Sequence, residues 1–217
     1  MSDLQPTLDV ERLMQLFLHD LRSPLGVAQG YLSLLGGQAL TGDDRIRALR
    51  SVTDAIARIT GLVDDVTTLL ADQSAESLQG SIDASLLCER VAMEAGRRGM
   101  NVASRDACDT GKVRVGTSVD RVSEAITVML SPTERARRAS HGPLNLAISN
   151  SGSELGFRIA GEAARHPSEP EFVIFEPIAI GSVEHLKAYQ HISLLGGRVW
   201  REVGESRACA VTLPLSD

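Results

Sequence analysis

The sequence is poor in aromatic side chains, in cysteine and in long apolar runs. Aromatics make up only 3% of the chain, which argues against a base-stacking surface for single-stranded nucleic acid and predicts a core of aliphatic side chains. The three cysteines, Cys88, Cys108 and Cys209, lie far apart and form no C-x-x-C pair, which indicates reduced thiols in a cytoplasmic protein. No apolar run has the length of a membrane span, and the first residues lack the pattern of a signal peptide. We therefore expect a cytoplasmic protein without a membrane-embedded part.

The net charge and the length bear on nucleic-acid binding and on the number of domains. A net charge of −6 disfavours nonspecific binding to nucleic acid, because such binding needs clustered positive charge. Hydrophobic residues make up 43% of the chain, which is typical of a globular protein rather than a disordered one. With 217 residues the chain is long enough for one medium domain or two small ones.

Apolar periodicity predicts two long helices at the start of the chain, over residues 9–36 and 43–72. Their apolar positions recur at alternating spacings of three and four residues, which is the seam of a helical bundle. Two antiparallel helices with one apolar stripe each cannot bury both stripes well, so we expect a homodimer in which two hairpins form a four-helix bundle. The seam consists of Val10, Met14, Phe17, Leu21, Leu25, Ala28, Leu32 and Leu35 on the first helix and of Leu49, Val52, Ile56, Ile59, Val63, Val66 and Leu70 on the second.

A polar segment over residues 72–81 separates this hairpin from a different pattern. Helices mixed with largely antiparallel strands follow, which predict an α+β sandwich and place the expected domains at 1–74 and 81–217. One pair of strands is typical of a hairpin around Asn150-Ser151-Gly152. The predicted helices are 82–96, 119–139 (broken near Pro132) and 183–195, and the predicted strands lie within 100–116 and at 144–148, 155–159, 198–203 and 208–213.

The segment from Phe17 to Leu25 carries the most informative chemistry. On a helix His19 lies about 200° from Phe17 and about 160° from Leu21, so its ring is expected to point away from the seam into water. Asp20 is adjacent and can hydrogen-bond one ring nitrogen, which fixes the tautomer and makes the other nitrogen the better nucleophile. A lone histidine at such a position would be interpreted as an ordinary surface residue, but the neighbours of His19 change that interpretation.

Three further residues favour a reactive histidine over an ordinary surface one. Ser23 shares the face of His19 at i+4, where its hydroxyl can position a water or a phosphoryl oxygen. Arg22, at i+3, can pair with phosphate charge. Pro24 lacks an N–H and costs a helix interior about 3 kcal/mol, a cost that nothing in a plain bundle helix requires.

The segment His19–Leu25, which is His-Asp-Leu-Arg-Ser-Pro-Leu, resembles the H-box of two-component histidine kinases, whose dimerisation and phosphotransfer domain is a helical hairpin. The resemblance implies that His19 accepts a phosphoryl group, that Asp20 activates it and that Ser23 takes part in dephosphorylation. It also implies transfer between His19 and the aspartate of a receiver domain, which supplies its own Mg²⁺. The receiver is expected to dock beside His19 on Arg22, Gly26, Val27, Gln29 and Gly30.

The C-terminal half resembles the ATP-binding domain of the same kinases in outline. Residues 172–177 are similar to the phenylalanine-containing box, and residues 194–200 and 211–214 are similar to the closing helix and strands. These similarities concern the fold rather than nucleotide binding.

The nucleotide-binding residues of that domain are missing. Val128 and Pro132 stand where Mg²⁺-ligating asparagines are expected, and residues 160–165 contain no aspartate that could recognise adenine. The segment Val183-Glu-His-Leu186 takes the place of the glycine-rich phosphate loop, so side chains replace the bare backbone that approaches phosphates, and Glu184 would repel them. We therefore expect this chain to bind no nucleotide and to have no cofactor or metal of its own.

The sequence as a whole predicts a histidine-containing phosphotransfer protein that exchanges phosphate between His19 and response-regulator receiver domains without ATP. A hybrid histidine kinase is a further expected partner, whereas nucleic acid and membrane are not. Three alternatives stay open: an autophosphorylating kinase with a divergent nucleotide site, a pseudokinase that binds a kinase or receiver without carrying phosphate, and a phosphatase that acts through Ser23 and Asp20.

Overall fold

Two long helices, three further helices, a six-stranded mixed sheet and a two-stranded sheet make up the described part of this computed structural model. The structure describes residues 10–37, 42–71, 80–105, 111–115, 118–131, 144–160, 172–174, 181–202 and 209–216. Several positions singled out in the sequence lie outside these ranges, namely Cys108, Pro132, 161–165 and 175–177. The chain divides into two compact units, Met1–Ser74 with Ile180–Leu186 and Ala75–Ala179 with Lys187–Asp217.

The first unit is built on a helical hairpin of α1 (Val10–Gly36) and α2 (Gly42–Ala71). Both helices carry acidic residues in their first turn, where negative charge complements the helix dipole. The bounds of both helices agree with the predicted ranges, 9–36 and 43–72, to within one residue at each end. Their buried positions are Leu13, Leu16, Pro24 and Ala28 on α1 and Ala48, Val52, Ala55 and Leu69 on α2.

The face that the hairpin buries differs from the predicted seam. The helical period is as expected, but eight of the fifteen predicted seam residues are exposed in the single chain. The reason is that α1 carries two overlapping apolar stripes, and the chain packs the one that runs through Leu13, Leu16 and Ala28. Seam residues between 40% and 55% exposed are Val10, Met14, Leu25, Leu32, Leu49, Ile56, Val63 and Leu70.

The second unit combines helices with a mixed sheet, which confirms the predicted α+β class. The elements that follow the hairpin are β1 (Gly80–Asp83), α3 (Ala84–Arg97), β2 (Asn101–Arg105), β3 (Lys112–Val115), α4 (Val119–Leu130), β4 (Asn145–Asn150), β5 (Glu154–Ala160), β6 (Phe172–Ile174), α5 (Val183–Leu194), β7 (Arg198–Glu202) and β8 (Cys209–Pro214). Six strands form one sheet in the order β2-β4-β5-β8-β7-β6, and β1 and β3 form a separate antiparallel pair. Within the large sheet β2 runs parallel to β4, and the other neighbours are antiparallel.

Two predicted boundaries in this unit are wrong. The helix expected from residue 82 begins at Ala84, because Ile82 belongs to β1 and pairs with Val113 of β3. For the same reason the polar segment expected to reach residue 81 ends before Gly80. Helix α4 ends at Leu130, and the predicted continuation over 132–139 lies outside the described residues.

Aliphatic side chains dominate the core of the second unit, as the scarcity of aromatics predicts. Phe157 is the largest of its fully buried side chains, and α3 and α4 contribute Leu87, Val91 and Ile126, each 0% exposed. Thr127 is also fully buried, and its hydroxyl donates to the backbone carbonyls of Ser123 and Glu124 at 2.9 Å each. Its polar group is therefore satisfied inside the helix, as burial requires.

Local turn chemistry explains two features that the sequence predicted. Between β4 and β5 the amide of Gly152 donates to Oδ1 of Asn150 at 2.8 Å, and the φ of Gly152 is 85°, a conformation that glycine adopts without strain. At the end of α5, Gly196 has a φ of 73° and the amide of Gly197 donates to the carbonyl of Ile192 at 2.9 Å. The amide of Gly196 also donates to the carbonyl of Ser193 at 3.0 Å. The two bonds are typical of a Schellman motif, which ends the helix at the glycine pair.

Candidate functional site

The H-box-like segment lies in the middle of α1, which stays helical through Pro24. The proline side chain is buried, so it contributes to packing even though its missing N–H leaves the carbonyl of Asp20 without the usual helical partner. His19 lies on the other side of the helix, and its side chain is 73% exposed. The ring is therefore open to water, as the helical geometry predicts.

The imidazole of His19 is paired with the neighbouring carboxylate. Nδ1 of His19 lies 3.1 Å from Oδ1 of Asp20, whose side chain is only 18% exposed. An ionised carboxylate accepts hydrogen bonds and cannot donate them, so this contact selects the tautomer in which Nδ1 carries the proton. The lone pair of the neutral ring then resides on Nε2, which is the nitrogen available to attack an electrophile.

The second oxygen of Asp20 also has a partner within the first unit. The backbone amide of Val183 donates to Oδ2 of Asp20 at 2.9 Å, and Val183 belongs to the segment Ile180–Leu186 that is grouped with the hairpin. The sequence prediction missed this contact, because nothing local connects positions 163 residues apart. The only available signal was Ser182, whose position before a predicted helix is typical of an N-cap.

The other predicted site residues lie along the exposed side of α1. Arg22, Ser23, Gly26, Gln29 and Gly30 are all exposed. Among the described residues Asp20 is the hydrogen-bond partner of His19, and neither Ser23 nor Arg22 bonds to its ring.

Two glycines continue the face that His19 occupies. Gly26 and Gly30 are seven and eleven residues from His19, so each lies within about 20° of it around the helix. A Cβ atom added at either glycine would meet nothing within 4 Å in the single chain. Val27, 42% exposed, follows on the same stretch of helix. The structure thus leaves a strip of bare backbone beside the histidine.

Two of the places expected to have lost nucleotide-binding groups lie among the described residues, namely Val128 and the segment Val183–Leu186. Val128 is 3% exposed and belongs to the core of the second unit. The segment in place of the phosphate loop forms the first turn of α5, in which Val183 and Leu186 are 0% and 4% exposed. Valine at position 128 offers no metal-ligating group, and the segment Val183–Leu186 is helical rather than a glycine-rich loop.

Within the described residues no group of three or more histidine, cysteine, aspartate or glutamate side chains is placed to hold a metal ion. The same part of the chain contains no helix that is both long and apolar enough to cross a membrane.

Solved structures of histidine kinases have a fold similar to that of this chain. No family model matches the chain. The histidine kinase AdeS of Acinetobacter baumannii superposes with a TM-score of 0.59 at 17% identity, over 92% of this chain and 98% of that one. The histidine kinase ThkA, solved in complex with the response regulator protein TrrA, superposes with a TM-score of 0.52 at 14% identity, over 92% of this chain and 60% of that one. The chain therefore has a histidine-kinase-like fold, a helical hairpin that carries an H-box-like segment followed by a kinase-like ATP-binding fold.

Proposed function

We propose that this chain is a histidine-containing phosphotransfer protein of a two-component phosphorelay, in which His19 exchanges a phosphoryl group with aspartates of receiver domains. One observation carries the proposal: the exposed ring of His19 has Nδ1 bound to Oδ1 of Asp20 at 3.1 Å, which leaves Nε2 as the nucleophile. The histidine-kinase-like fold supports a place in two-component signalling, and one of the similar structures is a kinase in complex with a response regulator.

The chemistry needs only the histidine, the carboxylate and the partner. The lone pair on Nε2 of His19 attacks the phosphorus of the receiver's aspartyl phosphate, a P–N bond forms, and the bond to the aspartate oxygen breaks. The receiver's carboxylate leaves as an anion, while Asp20 stabilises the positive charge that develops on the ring. Transfer to a second receiver reverses these steps. The Mg²⁺ for both directions is expected in the receiver and not in this chain.

Two places where the resemblance leads us to expect nucleotide-binding residues support transfer without ATP. Val128 points into an apolar core, and the first turn of α5 buries Val183 and Leu186 where a phosphate loop would need bare backbone. A metal ligand at position 128 would have to replace a buried apolar side chain, and a phosphate loop at 183–186 would have to replace a helical turn. We therefore expect the phosphoryl group to come from another phosphoprotein.

The exposed glycines support docking of a receiver beside His19. A glycine in a helix interior costs about 0.5–1 kcal/mol relative to alanine, and open space surrounds the Cα atoms of Gly26 and Gly30 in the single chain. Packing within the chain therefore gives no reason for these glycines, whereas a closely approaching partner does. Arg22 lies one turn from His19 and can pair with the acidic or phosphorylated side of a receiver.

A homodimer would cover the apolar surface of the hairpin. On α2 the exposed residues Leu49, Ile56 and Val63 recur every seven residues, and each is followed four residues later by a threonine. The hydroxyls of Thr53, Thr60 and Thr67 donate to the carbonyls of Leu49, Ile56 and Val63 at 3.0, 3.1 and 2.8 Å. Because these hydroxyls are already bonded, the threonines can present methyl groups to a second copy without leaving a polar group unsatisfied.

Labelling from a phosphorylated receiver tests the proposal. Candidate receivers carrying radioactive phosphate are mixed with the chain, and we expect acid-labile label to move onto it. His19→Ala should take up no label, whereas His141→Ala, at a histidine without a predicted role, should behave as the wild type. A chain that binds a phosphorylated receiver but takes no label would be a pseudokinase module, and one that only releases inorganic phosphate would be a phosphatase.

A further inference from the structure

The start of α5 is a capped helix end with one amide directed at Asp20. Oγ of Ser182 accepts from the amide of His185 at 3.2 Å, and its backbone carbonyl accepts from the amide of Leu186 at 3.1 Å. Oγ of Ser182 also lies 2.7 Å from Nδ1 of His185. Ser182 therefore acts as the N-cap, and the amide of Val183 is left to donate to Oδ2 of Asp20 at 2.9 Å.

Asp20 is thereby held through both of its oxygens. Oδ1 is bound to the ring of His19 and Oδ2 to the amide of Val183, and the carboxylate is largely buried at 18% exposed. A carboxylate at the first turn of a helix is also favoured by the positive end of the helix dipole. A side chain bound at one oxygen can still rotate about its terminal torsion, whereas one bound at both is fixed in orientation.

We propose that the amide of Val183, presented by the Ser182 cap, is a positioning group for the phosphotransfer of His19. It fixes the Asp20 carboxylate so that Oδ1 keeps Nδ1 of His19 protonated and Nε2 remains free. The inference rests on the proposed function and assigns the first turn of α5 a part in it. The sequence resemblance implies that this turn stands in place of the kinases' phosphate loop, so the inference gives that segment a role toward the histidine.

The arrangement follows the general logic of an activated nucleophile. A nucleophile is activated by an adjacent group, and that group in turn is oriented by a third. Here the three are His19, Asp20 and the Val183 amide. Groups that orient a reactive residue from one step away affect its activity without touching the substrate. We therefore expect Val183 to act on the rate of transfer and on the state of the His19 ring rather than on binding of the receiver.

Removal of one N–H tests the inference. Proline is well tolerated at the first position of a helix, where its φ fits, and it favours the extended backbone that an N-cap residue adopts. Val183→Pro therefore deletes the donor to Asp20 while keeping the helix, and Val183→Ala deletes most of the side chain while keeping the donor. The loss of a hydrogen bond to a charged group predicts label transfer roughly tenfold slower in Val183→Pro than in Val183→Ala.

A spectroscopic measurement separates positioning from a general loss of structure. The ¹⁵N shifts of the His19 ring report which nitrogen carries the proton, and we expect the Nδ1–H form to decrease in Val183→Pro relative to Val183→Ala. Ile192→Ala, which removes a buried side chain from a later turn of α5, should leave the tautomer unchanged. Equal rates and equal tautomer populations in the two Val183 variants would overturn the inference while leaving the proposed function intact.

A second measurement applies if Val183→Pro does not fold. In Asp20→Ala the amide of Val183 loses its acceptor, so its hydrogen exchange should accelerate at least tenfold while that of Leu186, bonded to Ser182, stays slow. Unchanged exchange at Val183 would overturn the inference. Failure of the wild-type chain to accept label from any receiver would instead overturn the proposed function on which it rests.

Discussion

Nδ1 of His19 and Oδ1 of Asp20 lie 3.1 Å apart on α1, with the histidine 73% exposed and the aspartate 18% exposed. The pair thus combines an accessible nucleophile with a sheltered carboxylate that fixes its tautomer. Each part of the proposed function, from the chemistry to the partner surfaces, makes a prediction that can be tested separately.

Asp20→Asn should slow phosphotransfer without preventing receiver docking. The asparagine side chain lacks the negative charge that stabilises the His19 ring during attack. It has only one acceptor oxygen, so it cannot accept both from Nδ1 of His19 and from the backbone amide of Val183. The transfer rate should therefore fall roughly a hundredfold. The dissociation constant for an unphosphorylated receiver should change little, because Asp20 is mostly buried. Stopped or quenched labelling gives the rate, and calorimetry gives the affinity. A parallel loss of affinity and rate would mean that Asp20 contributes to docking instead.

Alanine at the two exposed glycines should stabilise the hairpin and weaken docking. Since an added Cβ meets nothing within 4 Å, Gly26→Ala and Gly30→Ala should each raise the free energy of unfolding by about 0.5–1 kcal/mol. The same methyl groups would separate α1 from a closely packed receiver. Gly96→Ala in α3, also with open space around it, is the matched control and should leave transfer unchanged. Unimpaired transfer in both hairpin variants would remove this strip from the docking surface.

A charge on the exposed seam of α2 should dissociate the dimer. Ile56 is 54% exposed in the single chain, so Ile56→Glu should cost the monomer little, but it would bury an unpaired carboxylate between two copies. Arg58→Glu, about 200° further around the helix, should leave the dimer intact. Light scattering on the two variants gives the masses. A wild-type chain that is already monomeric at micromolar concentration would contradict the four-helix bundle.

Restoring one asparagine should destabilise the second unit and not create ATP binding. Val128 lies in the apolar core at 3% exposed, so Val128→Asn would bury an amide without a partner and lower the free energy of unfolding by about 2 kcal/mol. Arg121→Asn, at an exposed position of the same helix, should have little effect. Labelled ATP with Mg²⁺ should leave both variants and the wild type unlabelled. Prompt acid-labile labelling of the wild type would instead identify an autophosphorylating kinase.

Local sequence patterns predicted most helices and strands, whereas contacts between distant residues became known only from the structure. The end of α5 at Gly196 and the turn at Gly152 depend on bonds between near neighbours, so the residues that form them are visible in the sequence. The strand β1 was missed, with residues 80–81 assigned to the polar segment and 82–83 to a helix, because its pairing of Ile82 with Val113 joins distant parts of the chain. Propensity is overridden by tertiary context in such cases.

In helix α1, too, the sequence predicted the element but not its packing. Periodicity correctly indicated an amphipathic α1, but it did not decide which of two overlapping stripes packs within the chain. The structure buries Leu13 and Leu16 and leaves Met14 and Leu32 exposed. The candidate site divides likewise: Asp20 beside His19 follows from adjacency, but its second contact, to Val183, has no local signal.

The most direct measurement is the identity of the atom that carries phosphate. The chain is labelled with ¹⁵N at histidine, phosphorylated by a receiver, and examined for coupling between phosphorus and the ring nitrogens of His19. The account predicts that the phosphoryl group is on Nε2 and that Nδ1 keeps its proton, because Asp20 holds that nitrogen at 3.1 Å. Phosphate on Nδ1, or on any residue other than His19, would contradict it.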